Sequence, residues 1–151
     1  MTAYARVAVA RSAGGFTVAA NAATLTAIAT FADMTGGTGG TVTHFGIGSG
    51  LAGATELLFF GAVTPNIVVS NGVTPKLDTT TTVIQATSDA MTASAANSFL
   101  LLLLNNTDWA NIGDAAGLQN SAAAGSLYLS LHTTPGPAEG DTQDSNEISY
   151  T

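Results

Sequence analysis

The chain holds two histidines, His44 and His132, and histidine is the side chain whose unperturbed titration lies nearest neutrality. Neither sits in an H-E-x-x-H pattern and there is no cysteine, so no zinc set is written locally. A serine nucleophile would need His and Asp brought to it from a distance, since the G-x-S-x-G elbow is absent. Both histidines therefore read as structural or surface residues, with their spatial relation open. Gly48, Gly50 and Gly53 match G-x-G-x-x-G. That fingerprint requires a helix and then a second parallel strand, whereas the stretch that follows, 56–63, reads as a strand. A glycine hairpin loop is the better reading. Glu139, Asp141, Asp144 and Glu147 cluster near the C-terminus. Oxygen-rich loops hold calcium, but this spacing departs from the EF-hand pattern, and nothing sets one carboxyl apart from another as acid and base. A solvated acidic loop is expected. No catalytic, cofactor-binding or metal-ligating residue is assigned.

The elements that must position these groups are short. Runs rich in β-branched and aromatic residues alternate with Gly, Asn, Pro and Thr, the pattern of many brief strands. The spacing predicts strands over 4–10, 16–19, 24–31, 41–46, 56–63, 66–69, 80–85 and 126–132, with a further one at 147–150. Strict alternation in 41–47 puts Val42, His44 and Gly46 on one face and Thr43, Phe45 and Ile47 on the other, which is assigned to the core. Leu127, Leu129 and Leu131 likewise share a face, opposite Tyr128, Ser130 and His132. The exception is 93–111, where Ala95, Phe99, Leu102 and Leu103 recur at helical spacing and Ser94 is a candidate cap. The fold class expected is mainly β, an antiparallel β-sandwich or jelly-roll-like barrel with one substantial α-helix, as a single domain over 1–151.

Composition narrows the partners. The 151 residues are 46% hydrophobic but only 9% charged, where globular chains usually carry about a quarter charged. The formal charge is −7 and the only cations are Arg6, Arg11 and Lys76. Phosphate-led nucleic-acid binding and a polybasic membrane patch both need several cations on one face, so neither is expected. Arg6 and Arg11 interrupt the first apolar stretch and spoil it as a secretory signal. The longest apolar run, 99–104, is far short of the roughly 20 residues that cross a bilayer. A neutral, Ala/Thr/Ser/Gly-rich surface suits close packing between copies. The helix is apolar nearly all round, and such helices are usually buried. Phe99, Leu102, Leu103 and Trp109 are therefore the candidate interface residues, with Trp109 read as a core-edge anchor or an interface hot spot.

The blocks Ser126-Leu127-Tyr128-Leu129-Ser130-Leu131-His132-Thr133 and Asn146-Glu147-Ile148-Ser149-Tyr150-Thr151 resemble a family of small tailed-phage and prophage virion proteins. In that family an L-Y-x-x-L-H/Y-T strand leads through a Pro/Gly/acidic loop into N-E-x-S-Y-T-x-Y-A-R-V-A-V. Here the Tyr4-Ala5-Arg6-Val7-Ala8-Val9 part stands near the N-terminus instead. Later family blocks resemble Thr41-Val42-Thr43-His44-Phe45-Gly46-Ile47-Gly48 and Glu56-Leu57-Leu58-Phe59-Phe60-Gly61-Ala62-Val63. Met91-Thr92-Ala93-Ser94-Ala95 is similar to a family start, so the order reads as a circular permutation with a joint near 88–90. The permutation expects Tyr150 beside Tyr4, Thr87 beside Met91, and an exposed connection at the first pair.

The resemblance implies a non-enzymatic, tail-fibre-like structural protein of the virion, made in the bacterial host cytoplasm. Its partners would be itself, as a homo-oligomer, and other phage structural proteins; no catalytic residue and no cofactor come with it. A capsid decoration protein that cements shell subunits is the alternative. A small carbohydrate-active hydrolase using Glu56 or the acidic loop is the weaker third reading.

Overall fold

A computed structural model describes residues 4–80, 83–85, 91–113 and 116–150, with 83–85 described by backbone alone. The fold is mainly β with antiparallel pairing and one helix among the described residues. In chain order the elements are β1 (Val7–Ala10), β2 (Phe16–Ala19), β3 (Ala22–Leu25), β4 (Ala29–Thr30), β5 (Gly40–Gly48), β6 (Leu57–Val69), β7 (Lys76–Leu77), β8 (Val83–Gln85), α1 (Ala93–Asn105) and β9 (Ser126–His132). The largest sheet runs β1-β9-β5-β6; β2-β3-β8 and β4-β7 form two smaller ones.

One buried apolar cluster draws on all three sheets and the helix, a sandwich-like arrangement. It gathers Phe16 and Leu25 from the β2-β3-β8 sheet, Leu77 from β7, Leu100 and Leu104 from α1, and Phe45, Ile47, Leu129 and Leu131 from the large sheet. Alternation on β9 works as expected on this side: Leu127, Leu129 and Leu131 face the core. The other side does not follow the simple pattern. Ser130 and His132 are fully buried as well, because the segment after β9 folds back over the outer face.

Several expected boundaries shift for identifiable reasons. On β5, Val42 joins Phe45 and Ile47 in the core. Pairing passes from Val42↔Ile67 to His44↔Ala62, so 63–66 stand opposite Thr43 alone. This bulge resets the alternation and fuses the two expected strands 56–63 and 66–69 into one of 13 residues. Pro65, which has no N–H to give, falls within the bulge on this outer strand. The expected strand 24–31 divides into β3 and β4. Glu147 makes only an isolated bridge to His132, so 147–150 is not a strand.

The helix starts at Ala93 as the spacing suggested, but its cap and its end differ. Thr92, not Ser94, is the N-cap, its hydroxyl accepting from Ala95 N at 3.3 Å. Asn106 takes the left-handed conformation at φ 52° and ends the helix, a conformation asparagine tolerates better than most residues. The buried face is Ala96, Leu100 and Leu104. Five successive leucines, Leu100 to Leu104, put an apolar side chain at every helical angle, so their spacing does not reveal the phase. The nearly all-round burial expected of α1 is not found, since Phe99 is 38% exposed.

The ends meet as the permuted order expects. Tyr4 N donates to Tyr150 O at 3.0 Å, and the two rings pack edge-on with centroids 5.4 Å apart. The connection is less exposed than expected, however. Ala5 and Ser149 face outward, but Tyr150 is buried and its hydroxyl donates to Ala32 O at 2.6 Å. Thr87 and the proposed joint at 88–90 lie outside the described residues.

Candidate functional site

The outer face of the large sheet carries a buried polar layer, built from residues that the fold-back brings together. Arg6 stands just before β1, and its guanidinium forms a two-armed pair with Glu147: Nε to Oε1 at 2.9 Å and Nη2 to Oε2 at 2.8 Å. Both side chains are largely removed from solvent, at 2% and 14% exposure. This bidentate geometry is the strongest form of such a pair, and the Glu147 hydrogen bonds hold the guanidinium pKa above its ordinary value. The remaining donors go to Gly50 O at 3.0 Å, Gly53 O at 3.0 Å and Thr55 Oγ1 at 3.1 Å.

Those contacts explain the glycine motif. The 49–56 loop joins β5 to β6, as the hairpin reading expects, and it closes through Ser49 N to Glu56 O at 3.0 Å. It turns the carbonyls of Gly50 and Gly53 toward a cation. A phosphate cradle presents N–H groups instead. Gln143 completes the layer: its Oε1 accepts from Thr55 Oγ1 at 2.8 Å and Gly50 N at 3.2 Å, and its Nε2 donates to Tyr128 O at 2.8 Å. A Cβ at Gly48 would overlap the Gln143 amide.

Tyr4 links this layer to the sheet. Its hydroxyl donates to Glu147 Oε1 at 2.9 Å and accepts from Leu131 N at 2.8 Å, while its ring stacks on Phe31 at a centroid distance of 6.2 Å. Burial, with the Glu147 carboxylate beside it, pushes the phenol far above its ordinary range.

The two histidines are cross-strand partners, His44 on β5 opposite His132 on β9. His132 is wholly buried. Its Nδ1 lies 2.8 Å from Ser145 O, which can only accept, so Nδ1 carries the proton. Nε2 is then the acceptor for the Ser130 hydroxyl at 2.8 Å. Gly46 makes room for this pair, since a Cβ there would sit 2.6 Å from both His132 Nε2 and Ser130 Oγ. Burial depresses the His132 pKa, with the Ser145 carbonyl and Glu147 opposing the shift. A serine hydroxyl on an imidazole resembles an activated nucleophile, but Ser130 is fully buried and the orienting partner is a backbone carbonyl. In this geometry the pair fastens the covering segment.

Glu139 and Asp144 are exposed, as a solvated acidic loop requires, and Glu147 is the member that departs from it. Glu147 is buried against Arg6, Asp141 Oδ2 accepts from Ala138 N at 2.8 Å, and Asp144 Oδ1 accepts from Thr142 Oγ1 at 2.6 Å. Among the described residues no three His, Asp or Glu side chains converge as a metal set. The sequence reading missed Arg6, Gln143, Ser130 and Tyr4 as members of one layer. The available signal was Arg6 itself, a charge inside an apolar stretch.

A second polar knot lies at the other end of β1. Arg11 Nε donates to Leu103 O at 2.7 Å and Nη2 to Leu102 O at 3.0 Å, with Nη1 on Ala124 O at 3.2 Å. It therefore satisfies carbonyls that the last helical turn leaves open. Of the candidate interface residues, Phe99 is exposed, Leu102 is half-buried, and Leu103 is half-buried and packs on the core. Trp109 falls beyond the helix, half-buried, in a turn closed by paired backbone bonds to Leu118 at 3.0 and 2.9 Å. Leu118 and Ile112 beside it are exposed. An open apolar cleft of about 190 Å³ lies elsewhere, lined by Val7, Val9, Gly15 and Ile28. No described helix is long and apolar enough to cross a membrane. Comparison with known proteins finds no matching family model, curated protein or solved structure.

Proposed function

We propose that this chain is a non-enzymatic structural component of a tailed-phage virion, on the tail side, acting through contacts with its own copies and with other particle proteins. The observation that carries the reading is where the family-like blocks fall. Residues 4–9, 126–133, 41–48 and 56–63 map onto β1, β9, β5 and β6, the four adjacent strands of one sheet. The N-E-x-S-Y block supplies Glu147 and Tyr150, which close that sheet against Arg6 and Tyr4. The resemblance thus tracks a scaffold and its fastening. The hydrogen bond between residues 4 and 150 supports the permuted order.

Surface chemistry points the same way. Two of the three cations are engaged inside the molecule, and Phe99, Ile112 and Leu118 are exposed on the helix and the turn after it. Burying one such side chain against a neighbour contributes on the order of 1.5 to 3 kcal/mol. Gold-labelled antibody against this chain, applied to intact phage particles, should decorate the tail. Decoration of the head would favour the cement alternative, and particles free of the protein would overturn both. Light scattering at micromolar concentration tests self-association separately.

A further inference from the structure

Residues 133–147 lie as a strap across the outer face of the large sheet, and its fastenings include both histidines. Ser145 O sits on His132 Nδ1, and the Gly136 backbone lies directly against the His44 ring, where an added Cβ would overlap it. Beneath the strap, Ser130 and His132 are fully buried. We propose that this segment is an acid-released strap, opened when His132 takes up a second ring proton.

The geometry supplies the reason. Neutral His132 is matched at both nitrogens, donating to Ser145 O and accepting from Ser130. A proton on Nε2 turns that acceptor into a donor, so the Ser130 hydroxyl can keep the contact only by accepting, and must point its own hydrogen elsewhere. The new charge is buried and faces His44 on β5 and Arg6 before β1. Tyr4, on the same segment as Arg6, is neutral. The strap contributes Asp144 and Glu147, but Glu147 already takes both arms of Arg6 and the Tyr4 hydroxyl. Opening returns the imidazolium to water.

The sign of the pH dependence follows. Burial holds the closed-state pKa of His132 below its ordinary 6.5, so the open state binds more protons in the window beneath that value. The closed strap is favoured above pH 6.5 and loses ground as pH falls through the closed-state pKa. Between pH 7.5 and 5 the ordinary carboxylate range is not yet reached.

Hydrogen exchange read by mass spectrometry, corrected for intrinsic rates, tests this on the whole chain. Strap amides should open roughly tenfold more at pH 5 than at pH 7.5, while β2 and β3 amides stay protected. His132→Gln should abolish the difference and His44→Gln should keep it. An unchanged strap, equal opening in β2 and β3, or a pH response that survives His132→Gln would overturn the proposal. Should His132→Gln not fold, carbon-13 shifts of the wild-type imidazole replace it: strap exchange must rise in step with His132 protonation, and a rise at any other pH overturns the idea.

Discussion

Arg6 and Arg11 flank the same short strand and meet different surroundings. Arg6 is buried against a carboxylate, so its charge is matched by another charge that has also left water. Arg11 meets neutral carbonyls at a helix end and keeps partial access to solvent. A lost partner has unequal consequences at the two sites: removing Arg6 strands the Glu147 charge, whereas removing Arg11 returns carbonyls to water. Burial of the partner, more than the number of hydrogen bonds, decides what an arginine is worth here.

Arg6→Ala should be the most damaging change, lowering unfolding free energy by about 3 to 5 kcal/mol in urea titrations. Arg6→Lys should recover little, because an ammonium cannot reproduce the two-armed contact. The paired change Arg6→Met with Glu147→Leu sharpens the comparison: it should be far milder than Arg6→Ala, since no charge is then left unmatched. If the pair costs as much as the single change, the stranded-charge account is wrong.

Gly48→Ala attacks the same region without touching a charge. Its Cβ must displace the Gln143 amide, and the expected loss is about 1 to 3 kcal/mol. At the other knot, Arg11→Ala should lower stability by about 1 to 2 kcal/mol, with salt weakening the effect because the site is partly exposed. The opposite end of that helix offers the smallest test. Thr92→Ala removes one cap bond and should lower the thermal midpoint by an amount corresponding to about 1 kcal/mol.

Local pattern made the strands legible, and long-range closure hid the rest. Leu127, Leu129 and Leu131 announce their face because side chains alternate along a strand. The bulge opposite Thr43 leaves no periodic mark, so Val42 was assigned to the wrong side. In α1 the five leucines erased the phase that polar interruptions would have supplied, and Asn106 ended the helix before Trp109. The polar layer was the least legible, since Arg6 and Glu147 are separated by 141 positions. No window along the chain contains both partners.

That separation also sets an order of events at the ribosome. Residue 6 leaves the ribosome well before its carboxylate partner, 141 positions later, and before the strand that pairs with β1. At the usual pace of translation, about 5 to 20 residues per second, the interval between them is roughly 7 to 28 seconds. During that time Arg6 stays hydrated and β1 has no β9 to join. The helix, the β2-β3 hairpin and the β5-β6 pair are complete well before then, so the joining of β1 and β5 through β9 is the part of the large sheet that must wait for the nascent chain.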